Sequence, residues 1–288
     1  MDVVQNIVSA LVYGVLAGGR FSLIALGLSL IFGVANLIDY TYVAYIAVAG
    51  YLFYTVDPLA GPLLGMLIVV LSVIPMALFV ERFLIRPLKS SGNQVMMVTF
   101  GVSLFTQYAI SLIWGSLTLA VPTFLPGAVS ILGNITSMQS FAILPASVAI
   151  SLATIFFIDY TRRGKSIVAV SQDTEASWLV GVNVSSTMAL TIVIGAMLAA
   201  AASVISAPTI GETPAMGWSP FIIAFVVVVF GGLGSIKSSV VASYIYGIIL
   251  NFGIVFIGSQ WSDVIGFVIL IAILLVRPEG VLGRRASR

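Results

Sequence analysis

Long apolar runs are the feature of this sequence that most restricts its fold. Ten can be drawn, at residues 3–18, 21–38, 40–56, 61–80, 94–114, 139–158, 186–206, 218–233, 238–257 and 262–276. An α-helix needs about 20 mainly apolar residues to cross a bilayer, and these runs do not alternate as barrel strands do. The sequence therefore predicts an all-α fold, a polytopic transmembrane helical bundle of about ten membrane segments. Eight or nine segments are the alternative, because several runs are short or closely spaced.

Few residue types remain for chemistry in this chain. It has no Cys and no His, and only 8% of its residues are charged, against about 25% in soluble domains. Zinc and haem sites and most pairs of nucleophile and base need Cys or His. We therefore expect one membrane domain, residues 1–288, that is not an enzyme and binds no metal. Because the net charge is only +2, we expect the bilayer and not nucleic acid as a partner.

The basic residues form clusters that predict an orientation. The clusters are Arg82, Arg86 and Lys89; Arg162, Arg163 and Lys165; and Arg277, Arg284, Arg285 and Arg288. Ten spans would place all three on one side, and loops 115–138, 207–217 and 258–261 of the other side contain only Glu212 among charged residues. Short loops rich in Lys and Arg stay in the cytoplasm, so we expect both termini there. Loss of one span near the start would move only the N-terminus outside.

Two weaker patterns concern how the helices are arranged. Gly14 and Gly18 have the spacing that lets membrane helices approach closely. The sequence LIRP at 84–87 follows the fourth run, and LVRP at 275–278 follows the tenth. This echo predicts a parallel internal repeat, as in transporters built from two related halves. The alternative is that Arg and Pro merely end two helices.

A glycine-rich stretch, GGLGSIKSS at 231–239, resembles a phosphate-binding loop. The P-loop requires Gly directly before its Lys, whereas Ile236 precedes Lys237 here. We therefore interpret the stretch as a tight turn between two membrane helices. The sequence predicts no nucleotide or other cofactor bound by this chain.

Asp39 and Glu212 lie beside apolar segments. An ionisable residue at membrane depth is expensive and marks function, whereas a carboxylate at the interface costs little, and the sequence leaves both interpretations open. Around the first of them, Asn36, Asp39, Tyr40 and Tyr42 are candidates for a substrate path. Residues 207–218 contain too much Pro and Gly for a helix and suit a gate or a partner-facing loop. Glu212 and Trp218 are therefore candidates for an outer gate or for contact with a binding protein.

A polar segment at 162–185 interrupts the apolar chain. As a helix over 166–180 it would be amphipathic and too polar to cross a membrane. Helices that rest on membranes usually carry Lys and Arg on the polar face, whereas this one carries Asp173 and Glu175. A groove in a protein partner is therefore the better interpretation.

Several stretches of the chain resemble permeases of LivH-type branched-chain amino acid ABC importers. The matching residues are Gly164-Lys165, Ala169, Asp173 and Gly181-Val182-Asn183; 23–33, LIALGLSLIFG; Glu81-Arg82 with Arg86-Pro87-Leu88; 231–235, GGLGS; and 277–284, RPEGVLGR. The likeness covers nearly the whole chain. Each stretch alone is weak, but together they are quite specific.

The resemblance implies a prokaryotic plasma-membrane permease that works by alternating access. It would pair with a second permease, a paralogue or a second copy, sit on two cytoplasmic ATPases that bind ATP and Mg²⁺, and receive substrate from an extracytoplasmic binding protein. The polar segment would be the helix that couples the permease to the ATPase. Its implied coupling residues are Gly164, Lys165, Ala169, Asp173, Glu175 and Gly181.

The resemblance also has departures and rivals. Relatives commonly carry Asn-Phe-Ala-His-Gly where this chain has 39–43, DYTYV, which predicts an atypical substrate if this stretch lines the path. Because the family also includes permeases for urea and short amides, these substrates remain open beside branched-chain and hydrophobic amino acids. The main rival function is a stand-alone secondary transporter driven by an ion gradient. Such a transporter would need buried acidic pairs or a proton relay, and Asp39 would have to supply nearly all of it.

Overall fold

The computed structural model describes residues 3–88, 92–277 and 280, which form a helical bundle with one β-hairpin. The helices are α1 Val3–Ala35, α2 Thr41–Ala60, α3 Pro62–Leu88, α4 Gly92–Trp114, α5 Met138–Tyr160, α6 Arg162–Gln172, α7 Thr174–Leu179, α8 Val184–Ile210, α9 Trp218–Gly231, α10 Ile236–Phe256 and α11 Ser262–Val276. Strands β1 Ala128–Ile131 and β2 Asn134–Ser137 pair antiparallel. The predicted all-α membrane bundle is confirmed.

The described residues contain seven helices that are long and apolar enough to cross a membrane: α1 to α5, α8 and α10. Helices α9 and α11 are apolar but shorter. At 1.5 Å per residue, the 14 residues of α9 extend about 21 Å, which is less than the roughly 30 Å of hydrocarbon. The described residues thus form nine apolar helices, whereas the sequence predicts about ten segments.

The predicted break between the first two segments is wrong. Residues 3–18 and 21–38 were separated at Gly18-Gly19-Arg20, but all three residues lie inside the continuous helix α1. A Cβ at Gly18 would come within 2.8 Å of the Cα of Tyr244, and one at Gly19 within 2.8 Å of Ser147 Oγ. The glycines are therefore sites of close packing against α10 and α5, and not a turn.

Helix α1 packs antiparallel along α10. A Cβ at Gly14 would lie 2.7 Å from the Cα of Ile248, and at the far end of the pair one at Gly33 would lie 3.1 Å from the Cα of Gly234. The predicted close approach through Gly14 and Gly18 is confirmed. Helices α1 and α8 form the centre, since 72% of the residues in the most apolar window of each are buried, against 17% in α4.

The bundle has two chemically different ends. The first turns of α1 contact the β-hairpin, because Ser9 Oγ donates a hydrogen bond to Asn134 Oδ1 and Tyr13 Oη donates one to the carbonyl oxygen of Ile135. We call this the hairpin end. Along alternating helices, Arg86, Arg162 and Lys237 lie at the opposite end, which we call the basic end. With nine apolar helices, the first residues of α1 and the last residues of α11 lie at opposite ends.

Some sequence predictions fall on residues outside the described part of the chain. These are the basic residues Lys89, Arg284, Arg285 and Arg288, and Pro278 of the second Arg-Pro motif. Arg86 and Pro87 continue helix α3 after a π-helical turn at Glu81–Ile85, so this Pro does not end the helix. The parallel internal repeat stays a prediction.

Candidate functional site

The polar segment lies across the basic end as two short helices. Helix α6 begins at Arg162 because Thr161 caps it, its side chain accepting a hydrogen bond from the backbone N–H of Gly164 at 3.0 Å. Gly164 is buried, and a Cβ there would come within 2.5 Å of the Cα of Ile158 at the end of α5. Ile167 and Val170 are buried on the same side of α6. The segment is thus fixed to the bundle by an apolar face.

The single helix predicted over 166–180 is wrong, because the chain breaks at Asp173. That residue has an extended backbone, and its Oδ1 accepts a hydrogen bond from the N–H of Ala176 at 2.9 Å. Asp173 is thereby the N-cap of α7, and acidic side chains are favoured at that position. Glu175 lies in the first turn of α7, which a negative charge also stabilises. The sequence signal for this break was Asp-Thr-Glu, a typical helix start.

Helix α7 displays an apolar surface outward. Trp178, Leu179 and Val180 are 69%, 76% and 79% exposed. Gly181 follows with a φ of +88° and open space around its Cα, so it turns the chain towards α8. Of the predicted coupling residues, Lys165, Asp173, Glu175 and Gly181 are exposed, Ala169 is partly buried and Gly164 is buried.

A polar cavity of about 940 Å³ lies beside the polar segment at the basic end. It is lined by Gln172 of α6, by Asn36 and by the glycine-rich turn 232–235. Lys237 Nζ lies 2.7 Å from Asp159 Oδ2 across this region, in an ion pair that is largely exposed. The predicted tight turn is present, with positive φ at Gly232 and Gly234. Asn36 therefore shares this cavity with the polar segment, whereas the other three path candidates do not line it.

Asp39 is completely buried in the linker between α1 and α2. Its Oδ1 accepts hydrogen bonds from the backbone N–H of Thr41, at 2.9 Å, and from the hydroxyl of Thr41. Burial raises the pKa of the Asp39 carboxyl, and the hydrogen bonds from Thr41 oppose that rise. Asp39 Oδ2 has no hydrogen-bond partner among the described residues. Asp39 lines neither the polar cavity at the basic end nor the cavity beside Glu212. The hydrogen bonds that it accepts come from Thr41, the first residue of helix α2.

Tyr40 and Trp218 meet in one aromatic cluster. The ring of Tyr40 lies 5.5 Å from Phe100, 5.4 Å from Phe221 and 6.4 Å from Trp218, measured between centroids. Trp218 Nε1 donates a hydrogen bond to Gln107 Oε1 at 2.9 Å. The structure thus joins a predicted path residue to a predicted outer-gate residue.

Tyr42 is a buried structural contact between two helices. Its hydroxyl donates a hydrogen bond to the carbonyl oxygen of Ile24 at 2.8 Å. A Cβ at Gly27 would lie 2.5 Å from the same hydroxyl. Tyr42 therefore fixes α2 against α1 through a satisfied hydrogen bond.

Glu212 is completely buried, in the linker 211–217 between α8 and α9. Its backbone pairs with Leu119: each N–H donates to the other's carbonyl oxygen, at 2.8 and 2.9 Å. Gly50 of α2 leaves room for the carboxyl group, because a Cβ there would collide with Glu212 Oε2. Neither carboxyl oxygen has a hydrogen-bond partner among the described residues. Burial raises the pKa of Glu212 to about 8. A side chain buried in this way offers no surface to another protein in this conformation.

An interior cavity of about 460 Å³ adjoins Glu212. Its walls come from α1, α2, α8, α9 and the linker 211–217. Arg20 of α1 also lines it, and sequence reasoning missed this residue by treating it as a loop marker. The signal was available, since a continuous helix over Val3–Ala35 places Arg20 among apolar residues far from either helix end. Groups of three or more potential metal ligands are absent from the described part of the chain.

The fold and these sites define a multi-pass membrane protein with an interior cavity and an exposed polar segment at one end. The family profile described as "Branched-chain amino acid transport system / permease component" matches residues 10–274. The chain therefore belongs to this family of transport permeases.

The chain is similar to its curated relatives over nearly its whole length and theirs. The high-affinity branched-chain amino acid transport system permease protein BraD of Pseudomonas aeruginosa is 31% identical, over 99% of this chain and 98% of the relative. The corresponding LivH proteins of Salmonella typhimurium and Escherichia coli are each 30% identical, over 94% of both chains. Among solved structures, PsaBC from Streptococcus pneumoniae in complex with Fab matches with a TM-score of 0.46 and 13% identity, over 95% of this chain and 91% of that one.

Proposed function

We propose that this chain is the membrane-spanning permease subunit of an ATP-driven importer for branched-chain or other hydrophobic amino acids. The observation that carries the proposal is the family match over residues 10–274, together with relatives named as branched-chain amino acid permeases. The chain supplies the translocation path and makes and breaks no covalent bond. Alternating access arises from movement of the bundle, driven by ATP and Mg²⁺ in a separate ATPase.

The polar segment is the part of the chain that receives this movement. Its exposed apolar side chains Trp178, Leu179 and Val180 lie beside the exposed acids Asp173 and Glu175. Exposed aromatic and aliphatic groups with a polar rim are typical of a protein interface. Helix α6 is fixed to α5 through Gly164 and the buried Ile167. A push on α7 would therefore reach the bundle through packed groups.

The orientation follows from the distribution of basic residues. Arg86, Arg162 and Lys237 mark the basic end, and loops rich in Lys and Arg remain in the cytoplasm. The basic end is then cytoplasmic and faces two ATPases, and the last helix ends there. The hairpin end faces an extracytoplasmic binding protein. The peripheral helices α3, α4 and α5 meet lipid and a second permease, either a paralogue or another copy of this chain.

The test is co-purification with the ATPase after charge reversal on the polar segment. We expect Asp173→Lys with Glu175→Lys to release the ATPase while the permease remains folded, because both side chains are exposed. Asp173→Lys also removes a helix cap, so Asp173→Asn, which keeps a capping oxygen, serves as the matched control.

Two results would decide against the proposal. If the doubly reversed chain retains the ATPase and transport continues, the polar segment is not the coupling element. If the wild-type chain purifies alone and moves solute under an ion gradient without ATP, it is a secondary transporter.

A further inference from the structure

We propose that the interior cavity is a binding site for a zwitterionic α-amino acid, with Glu212 holding its ammonium group and Arg20 its carboxylate. This inference rests on the proposed function and names the residues that would select the substrate within the permease itself. Neither residue belongs to the stretches by which the chain resembles its family.

The first argument is that Glu212 is built to receive a donor. It is fully buried, and both carboxyl oxygens lack a partner in the part of the chain that the structure describes. A buried carboxyl group without hydrogen bonds is costly, and natural structures keep one only where something compensates it. Its position is fixed by the backbone pair with Leu119 and by the space that Gly50 leaves. An ammonium group supplies up to three donors to such a group.

The second argument is that the cavity also has a basic lining residue. Arg20 lines the same cavity, and it forms no hydrogen bond or ion pair with any described residue, Glu212 included. A guanidinium presents a planar fork of donors that matches a carboxylate. The cavity therefore holds one acidic and one basic group that are not paired with each other. A ligand that carries both opposite charges satisfies both at once.

The third argument excludes simpler ligands. A ligand with only a positive charge would leave the charge of Arg20 without a partner, and one with only a negative charge would leave the Glu212 oxygens without a charged donor, which is unfavourable for buried groups. Urea and short amides can form hydrogen bonds with both groups, but they carry no charge to balance that of Arg20. A zwitterion is the one of these classes that supplies a negative charge for Arg20 and an ammonium donor for Glu212. The geometry thus favours an amino acid over the amides that the sequence left open.

The remaining walls suit an aliphatic side chain. Phe21 and Ile24 of α1, Ile46 of α2 and Ile223 of α9 line the cavity. Its volume of about 460 Å³ lies within the roughly 300–1,000 Å³ of small-molecule sites. Apart from Arg20 and Glu212, the lining contains no charged residue. An acidic or basic substrate side chain would therefore find no partner there.

The experiment measures ligand affinity of the complete transporter in nanodiscs, without its binding protein. The probes are L-leucine, 4-methylpentanoate, which lacks the ammonium group, and 3-methylbutylamine, which lacks the carboxylate. We expect leucine to bind at least about 10-fold more tightly than either analogue, since each lost charged hydrogen bond is worth about that factor or more. Equal affinity for all three probes would overturn the proposal without any variant.

Two variants then assign the groups. Glu212→Gln should abolish the advantage of leucine over 4-methylpentanoate, and Arg20→Met its advantage over 3-methylbutylamine. Each variant continues to bind the analogue that does not use the altered group, and this crossed pattern cannot come from general unfolding. Asp57→Asn removes a carboxylate from α2 outside the cavity lining and is the matched control.

The same preparation separates this inference from the proposed function. If wild-type transporter performs ATP-driven leucine uptake while Glu212→Gln and Arg20→Met leave KM within about threefold of wild type, the cavity assignment is wrong and the function stands. If wild-type transporter takes up no amino acid at all, the proposed substrate class fails first.

Discussion

Two segments of this chain interrupt the helices and carry acidic residues, but the acidic side chains lie in opposite environments. In the polar segment, Asp173 and Glu175 are exposed and stabilise the start of α7. In the linker 211–217, Glu212 is completely buried with two unpartnered oxygens. The first arrangement suits contact with another protein, and the second suits contact with a small ligand.

The difference shows that burial alone does not identify a functional acid. Asp39 is as buried as Glu212, but Thr41 donates two hydrogen bonds to it and it starts a helix. Asp39 Oδ2 also has no partner among the described residues. Glu212 differs because it lines a cavity and has no donor at either oxygen. The cavity and the lack of any donor, and not the burial, distinguish the proposed ligand site from the structural one.

The largest expected effect is the pH dependence that Glu212 gives to stability. Its pKa is about 8 in the folded protein against an ordinary value of 4.5. Between these values the folded state binds more protons than the unfolded state, so stability falls as pH rises from about 4.5 to about 8 and levels off above. Thermal midpoints of ligand-free protein should fall over that window by an amount worth a few kcal/mol.

Glu212→Gln is the control for this titration. Its thermal midpoint should be nearly independent of pH in the same window and higher than that of wild type at pH 8. The charged or titratable neighbours are Arg20, which lines the same cavity, and Tyr51, whose hydroxyl donates to the Glu212 carbonyl oxygen at 3.4 Å. Asp57 lies on α2 about two helical turns beyond Gly50, the residue that leaves room for the Glu212 carboxyl group. An equal pH slope in Glu212→Gln would assign the titration to another group.

The next effect concerns the exposed apolar surface of α7. Trp178→Ala should weaken ATPase binding by about 2 kcal/mol or more, the usual size for an aromatic hot spot. Because Trp178 is 69% exposed, stability of the permease should hardly change. Trp261→Ala, at a half-exposed Trp of the hairpin end (49%), is the matched control. If both variants bind the ATPase with similar affinity, α7 is not part of the interface with the ATPase.

A smaller effect is expected from Gly50→Ala. The added methyl group would collide with Glu212 Oε2 and displace the carboxyl, which should weaken leucine binding by about 10-fold, the value of one charged hydrogen bond. Gly101→Ala is the control, because a Cβ at that position of α4 meets only open space. If Gly50→Ala leaves leucine affinity unchanged, the space that Gly50 leaves for the Glu212 carboxyl group is not needed for leucine binding.

The smallest effect is expected at Asp39. Asp39→Ala removes the acceptor of the two hydrogen bonds from Thr41 and should destabilise the protein by about 1–2 kcal/mol. Asp39→Asn keeps an acceptor oxygen and should cost less. If Asp39 lines the substrate path, Asp39→Asn should instead alter uptake with assembly intact. Uptake kinetics of the two variants beside their thermal midpoints decide between a path residue and a structural contact.

Much of the bundle could be predicted because membrane helices are read from hydropathy. The predicted runs from 40–56 onward coincide with helices α2 to α5 and α8 to α11 within four residues, except that α3 continues to Leu88, eight residues beyond the run 61–80. The first two runs failed because Gly18 and Gly19 act through partners on α10 and α5 that lie far away in sequence. The helix predicted over 166–180 failed because Asp173 was assigned to a polar face when its local hydrogen bond makes it a cap.

The candidate site could be predicted only in part. Glu212 could be chosen from the sequence as an acidic residue next to apolar segments. Its position without hydrogen-bond partners, however, depends on Gly50 and Leu119, which are distant in sequence. Arg20 became meaningful only once α1 proved continuous. The exposure of Trp178 could not be foreseen, because helical periodicity places it on the same side as the buried Ile167.

The most direct test of the account is leucine uptake by proteoliposomes that contain this chain with its ATPase, second permease and binding protein. We expect uptake that requires ATP inside the vesicle. It should be lost in Asp173→Lys with Glu175→Lys through loss of the ATPase, and in Glu212→Gln through a raised KM with the ATPase still bound. Uptake that proceeds without ATP under an ion gradient, or that is indifferent to both variants, would contradict the account.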